Sequence, residues 1–317
     1  MNTKTITDSL ETSRWQHMLA ILSERDPLFS SHFHSDTKLV ISRRFTENAF
    51  VLLLQYMGIM FSTLTPHPAP LYFAAGTGCA FLFLRGVSIL PGILTGSLLA
   101  YVLAGIAFMT AMNLAVIDVL QAGILYWIAC RYIQPTLVFY QLKRYLLWLA
   151  CLMFITACMS LARITVIHHM TMHAWLQNNL CNMNGVLIVG TSIMTFNFYF
   201  AECIAIRLRH QMKWLGFTCC LAVLVILLLF SPQHSLLFAG CLSLLCMMFI
   251  IIAADWTAIS AALFLLGLLL NLGAFMDAPL FLSHETDNML PILAAGLTII
   301  SIAGFTIAIL RQDSHRD

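Results

Sequence analysis

Apolar runs recur along this chain, each close to the length a helix needs to cross a bilayer. They lie near 49–65, 71–84, 86–105, 107–130, 145–167, 183–204, 214–231, 235–254, 257–276 and 289–310. A hydrocarbon core of about 30 Å takes about 20 helical residues, and fewer where neighbouring protein shelters a short helix. The pattern predicts an all-α, polytopic integral membrane bundle of about ten transmembrane helices. With 60% apolar and 9% charged residues, the chain has too little polar surface for a water-soluble globule. The runs are too many and too widely spread for a cleaved signal peptide. A formal net charge of +2 gives no basic face for nucleic acid. Of ten cysteines, only Cys181 is expected in a loop, so no disulfide framework is expected.

Basic residues set the expected orientation, because loops rich in Lys and Arg stay in the cytoplasm. Lys4, Arg14, Arg25, Lys38, Arg43 and Arg44 precede the first run. Arg85 falls in the second turn, and Arg131, Lys143 and Arg144 in the fourth connection. Arg207, Arg209 and Lys213 occupy the sixth connection, and Arg311 and Arg316 follow the last run. All fall on one side, with Arg163 the exception. The expectation is N-in and C-in: a cytoplasmic tail over 1–47, a transmembrane domain over 48–311 and a short cytoplasmic tail over 312–317.

The stretch LFLRGVSILPGILTGSLLAYVL reads as a tight turn between two spans. Gly86 suits the turn and Pro91 the first turns of the next helix. Gly92, Gly96, Ala100 and Ala104 recur every fourth residue, a small-residue ridge that admits another backbone closely, with Gly76 and Ala80 on the preceding span as the expected partner.

The order of these features resembles the bacterial membrane-associated sensor domain of the first MASE type. In that family a turn of Trp-Pro-x-Ala-Gly type leads through a short apolar helix to a Gly-Arg turn, then Pro-Gly and a second Gly. Tyr72, Phe73, Ala75 and Gly76 match the first turn, and Gly86, Pro91, Gly92 and Gly96 the rest. IDVLQAGILYWIACRYI is similar to the family's Gly-Asn-Thr-Leu-Glu-Ala helix at Asp118, Leu120, Gln121 and Ala122. NNLCNMNGVLIVG follows a Trp-Trp-Leu-Gly-Asp-x-x-Gly-Val-Leu pattern at Leu180, Gly185, Val186 and Leu187. Asn178 and Asn179 stand where the family has tryptophans, Cys181 where it has glycine and Asn182 where it has aspartate. The likeness covers about 49–310. It implies a signal-input module of the bacterial inner membrane, where relatives carry kinase, cyclase or phosphodiesterase output domains. This chain is expected to lack such a domain and to act through a separate signalling or membrane protein, with the lipid bilayer as its other partner.

Four local features are candidates for function. Asn184, Thr191, Thr195 and Glu202 are spaced seven, four and seven apart, a polar stripe on one helix face that should point into the bundle. Asp118 is the deepest acid, and Arg163 in the next span is a candidate partner for it, unless it reaches up to the interface. His168, His169 and His173 offer donor atoms to copper or zinc, but the sequence fixes no third ligand, so the segment reads as an interfacial loop. In the tail, Asp8 caps an amphipathic helix whose stripe is Trp15, Met18, Leu19 and Leu22; it suits a membrane surface or a docking partner.

No phosphate-binding loop, nucleophile with spaced base, paired-carboxylate site or Cys-x-x-Cys signature is present. The expectation is a non-enzymatic sensory module without a cofactor. The alternative is a small-solute transporter, for which ten spans with buried Asp118 and Glu202 would suffice.

Overall fold

The computed structural model describes residues 37–63, 70–133, 141–167, 171–200, 256–275 and 286–314. The runs at 214–231 and 235–254, the tail stripe from Trp15 to Leu22, His168, His169 and Glu202 lie outside the described residues. The chain divides into two compact units, Met1–Phe45 and Thr46–Asp317. All the packing described below is within the second.

The described secondary structure is entirely helical. Helix α1 is Thr37–Thr63, α2 Phe73–Arg85, α3 Leu90–Leu103, α4 Phe108–Ile128 and α5 Leu142–Ile167. Then come α6 Met172–Asn184, α7 Thr191–Phe200, α8 Trp256–Phe275 and α9 Thr286–Ser314. A 3-10 turn, Gly86–Ile89, joins α2 to α3, and π-helical turns occupy Ala129–Ile133 and Gly185–Gly190. Among the described residues, four helical runs are long and apolar enough to cross a membrane: Phe73–Leu103, Phe108–Ile133, Leu142–Ile167 and Leu293–Leu310. A shorter apolar helix covers Ile259–Leu272. Large apolar side chains such as Met109, Trp127, Phe154 and Ile299 are exposed, as lipid-facing positions would be.

The first of those four runs is a hairpin. Gly86 sits at φ +73°, a conformation that side chains resist, and the chain reverses there. Gln55 of α1 bonds Thr77 on one arm and Ser97 on the other. The hydroxyls of Tyr72 and Tyr101, at the open ends of the arms, lie 2.7 Å apart. Arms of 13 and 14 residues reach only about 20 Å each, so they depend on neighbouring helices for shelter.

Helix α1 lies along both arms. Asn48 accepts a hydrogen bond from Gly92 N (2.8 Å) and donates one to Ser88 O (3.0 Å), satisfying backbone groups around the start of α3 that the helix itself leaves open. A β-carbon at Gly92 would lie 2.7 Å from Asn48 O, and one at Gly96 would lie 2.6 Å from Leu52 O. This corrects the expected partner of the small-residue ridge: Gly92 and Gly96 receive α1, not the Gly76 face of α2. Gly76 turns instead to the π-helical turn, where a β-carbon would lie 2.6 Å from Val189 Cβ and closer still to the Gly185 carbonyl. Ala100 is fully buried with Ile59 and Tyr72.

At the closed end of the hairpin, Arg85 pairs with Glu47 at 3.3 Å. Phe83 packs edge-on to Trp148 (5.7 Å) and beside Tyr126 (5.8 Å). Arg144 donates to Ile133 O at 3.1 Å. Arg85, Arg131, Lys143 and Arg144 thus share one end of the bundle.

The expected loop before the sixth span is helix from Met172 onward. Thr171 caps it by accepting from Ala174 N at 3.1 Å, and Trp175 Nε1 donates to Ala157 O on α5 at 3.1 Å. Cys181 is accordingly buried in α6, not placed in a loop. The reason is local: the amide nitrogen of neighbouring Asn182 finds protein acceptors, bonding Asn178 O and Ser160 Oγ. From Cys181 to Ser192 every residue is buried, which makes this the central helix of the described bundle.

Candidate functional site

The open end of the hairpin builds a buried ionic cluster. Asp118 on α4 and Arg163 on α5 form a salt bridge through Oδ1 and NH2, with both side chains buried. Tyr101 on α3 donates to the other carboxylate oxygen at 3.0 Å, and Arg163 NH1 donates to Tyr101 OH at 3.4 Å. The guanidinium lies 4.7 Å from the centre of the Tyr72 ring, a cation–π distance. One turn before Tyr101 on α3, Ser97 accepts from Gln55 Nε2 at 3.2 Å, and Gln55 Oε1 accepts from Thr77 at 3.0 Å. Two hydrogen-bonded chains thus meet on α3: Thr77, Gln55 and Ser97 join α2, α1 and α3, while Tyr72, Tyr101, Asp118 and Arg163 join the start of α2 to α3, α4 and α5.

Arg163 does not reach up to the interface. Its burial is tolerable because Asp118 neutralises it and Tyr72 covers it; a lone guanidinium there would be costly. An ion pair buried this deeply in an apolar bundle is a candidate functional site, because charges at membrane depth are costly and are retained where they are paired or used.

Tyr72 ends a short non-helical stretch, bent at Pro70 and Leu71, whose backbone is closed by side chains. Asn271 on α8 accepts from Leu71 N (3.1 Å) and donates to Leu71 O (2.7 Å). Asn184 donates to Pro70 O (3.2 Å) and Ala294 O (2.9 Å) and accepts from Thr298 (2.7 Å). Tyr72 N donates to Cys181 O at 3.0 Å. Irregular backbone at membrane depth requires this kind of satisfaction.

The expected polar stripe divides. Asn184 serves the non-helical stretch, Thr191 bonds back to Leu187 O, and Thr195 meets Ser260 at 3.5 Å. The intervening π-helical turn breaks the seven-residue spacing that placed Asn184 and Thr191 on one face. None of the three is hydrogen-bonded to Asp118, so the structure does not bring the stripe and the acid into one hydrogen-bonded site. A β-carbon at Gly185 would strike the carbonyl of Tyr72, so this glycine sets how closely the central helix approaches the cluster. His173 is exposed on α6, and among the described residues no group of three or more His, Cys, Asp and Glu forms a metal site.

Sequence reasoning passes over Tyr101, Ser97, Gln55 and Asn271. Gln55 and Asn271 are the two amides on their otherwise apolar helical turns, a signal of interior hydrogen bonding that charge alone does not carry. No family model, no curated protein and no solved structure matches this chain.

Proposed function

We propose that this chain is a signal-input module of a bacterial inner membrane, in which the Asp118–Arg163 pair is the element that a stimulus biases. The observation that carries the reading is the convergence of α2 to α5 on that pair, with Tyr101 bonded to both charges and Tyr72 bonded to Tyr101 and covering the guanidinium. A buried ion pair contributes little net stability over a well-packed apolar pair, so its retention favours a role in specificity or switching. Residues that carry the resemblance to first-type MASE domains also hold demanding positions: Gly76, Gly92, Gly96 and Gly185 at close approaches, Gly86 at the reversal, Pro91 at N1/N2 of α3, and Asp118 and Gln121 in the interior. The basic end of the bundle is read as cytoplasmic, with ten spans and both termini on that side. Output passes to a separate membrane or cytoplasmic protein, docked through the stripe of Trp15, Met18, Leu19 and Leu22.

The test is site-specific photo-crosslinking from positions 15 and 19 in living cells. Wild type should give a discrete partner band that Asp118→Leu alters and that Met18→Ser combined with Leu22→Ser removes, both forms keeping the probe positions in place. The same adducts in all three forms would reduce the tail to a membrane anchor and remove the support for signalling in trans.

A second reading, a small-solute transporter, draws on the non-helical Pro70 to Tyr72 stretch beside a buried charge, an arrangement found where transporters bind substrates. Solute uptake into proteoliposomes that is abolished by Asp118→Leu would favour it over the sensory one.

A further inference from the structure

One helical turn from the ion pair, toward the basic end, Gln121 on α4 follows Asp118 by three residues and Ser160 on α5 precedes Arg163 by three. The two helices run antiparallel, so Gln121 and Ser160 fall at the same level. Asn182 on α6 joins them, donating to Ser160 Oγ at 3.4 Å. Gln121 is 3% exposed, Asn182 1% and Arg163 6%. Yet Gln121 Nε2 and Oε1, Asn182 Oδ1 and Arg163 Nε find no hydrogen-bond partner among the described residues. Protein interiors rarely leave buried donors and acceptors unmatched, and these lie on the ion pair, one turn from it, or on the residue bonded to Ser160.

We infer that these atoms form a binding site between α4, α5 and α6 for a small uncharged molecule that both donates and accepts hydrogen bonds, either water or a hydroxylated solute in its place. The unmatched set supplies donors from Arg163 and Gln121 and acceptors from Gln121 and Asn182, so a guest with one function only would leave part of it unpaired. The guest is uncharged because Asp118 already neutralises Arg163 and the other groups are amides. It is small because α4 packs directly on α5, and α5 on α6. Bound against Arg163 Nε, it would tune how firmly the guanidinium holds Asp118, which deepens the functional reading above and rests on it.

X-ray hydroxyl-radical footprinting of the full-length protein in nanodiscs tests this, because radiolysis labels buried side chains only where ordered water lies nearby. Tyr101, bonded to Asp118 and Arg163, and Cys181, next to Asn182, are the reporters, and fully buried Cys79, bonded to neither charge, is the reference. The expected result is labelling of Tyr101 and Cys181 several-fold above Cys79, lost in Gln121→Met, which keeps the side chain's size without its amide. Protection of Tyr101 by glycerol or erythritol beyond that of exposed Tyr132, which corrects for radical scavenging, assigns the site to a hydroxylated solute; equal protection of the two assigns it to water. Labelling of Tyr101 and Cys181 no greater than that of Cys79 would overturn the inference. So would a Gln121→Met variant that melts above wild type, since removing an amide from a dry gap stabilises. Asp118→Leu, the test of the functional reading, leaves Gln121 and Asn182 in place, so the two fail separately.

Discussion

Asn271 closes both backbone hydrogen-bonding groups of Leu71, 200 positions earlier in the chain, by accepting from its N–H and donating to its carbonyl. A side-chain amide thereby stands in for a backbone partner, and the bent, non-helical entry into the hairpin keeps its polar groups satisfied while Leu71 is fully buried.

Removing that amide should be expensive. Asn271→Leu leaves one buried donor and one buried acceptor orphaned, at roughly 1–3 kcal/mol each. The variant should show a clear drop in detergent melting temperature. Asn271→Asp retains an acceptor for Leu71 N but loses the donor to Leu71 O and adds a charge, so it should also be unstable. Melting of Asn271→Leu at the wild-type temperature would mean that the stretch finds other partners.

The glycines sort by what a β-carbon would meet. Gly96→Leu drives a side chain into the Leu52 carbonyl on α1 and should cost about 1–3 kcal/mol or more, with lower folded yield. Gly123 on α4 has nothing within 4 Å of that position, so Gly123→Ala should be neutral or stabilise by up to about 1 kcal/mol through helix propensity. Measured together by thermal melting, the pair separates a specific close approach from a general intolerance of substitution. Equal losses at the two sites would refute the contact between Gly96 and α1.

How much of this was legible in the sequence depended on chemistry and distance. Asp118 and Arg163 announced themselves, because a charge within an apolar run must find a partner or a function. The reversal at Gly86 was legible for the same kind of reason, as a local backbone requirement with a residue type to match. Tyr101 and Ser97 were not, since tyrosine and serine are common in apolar helices and carry no period of their own. Asn271 and Leu71 are joined only by the tertiary fold. The segment from Met172 to Asn182 looked like a loop because its polarity suggested water; in the structure Trp175 Nε1 and Asn182 Nδ2 find acceptors on α5 instead. The cap at Thr171 and the four-residue spacing of Asn178 and Asn182 were the local signals of helix. The π-helical turn after Asn184 then shifted the register, and no spacing argument built on a regular helix survives such an insertion.

The proposed orientation rests on the shared end of Arg85, Arg131, Lys143 and Arg144. Cys181 is buried and is a poor reporter of topology, so exposed positions must be used instead. In a background lacking the other cysteines, His173→Cys should react in intact spheroplasts with a membrane-impermeant maleimide. Cys130, exposed beside Arg131, should react only after permeabilisation. The reverse pattern would invert the proposed topology.

The ion pair gives the sharpest separation of stability from function. Asp118→Asn strands a buried guanidinium, and Arg163→Met strands a buried carboxylate; each should cost about 3–5 kcal/mol, because an unpaired charge keeps its desolvation penalty and loses its compensation. Asp118→Leu combined with Arg163→Met removes both charges and should recover most of that loss in the melting temperature. The coupling between the two sites should therefore be large and of the rescuing sign. Function should not return with stability, since an apolar pair offers nothing for a stimulus or a substrate to break. Photo-crosslinking or uptake measured on the double variant reads this directly. A double variant that is both stable and fully active would show that the Asp118–Arg163 pair is structural, and would move the search for the functional site elsewhere in the bundle.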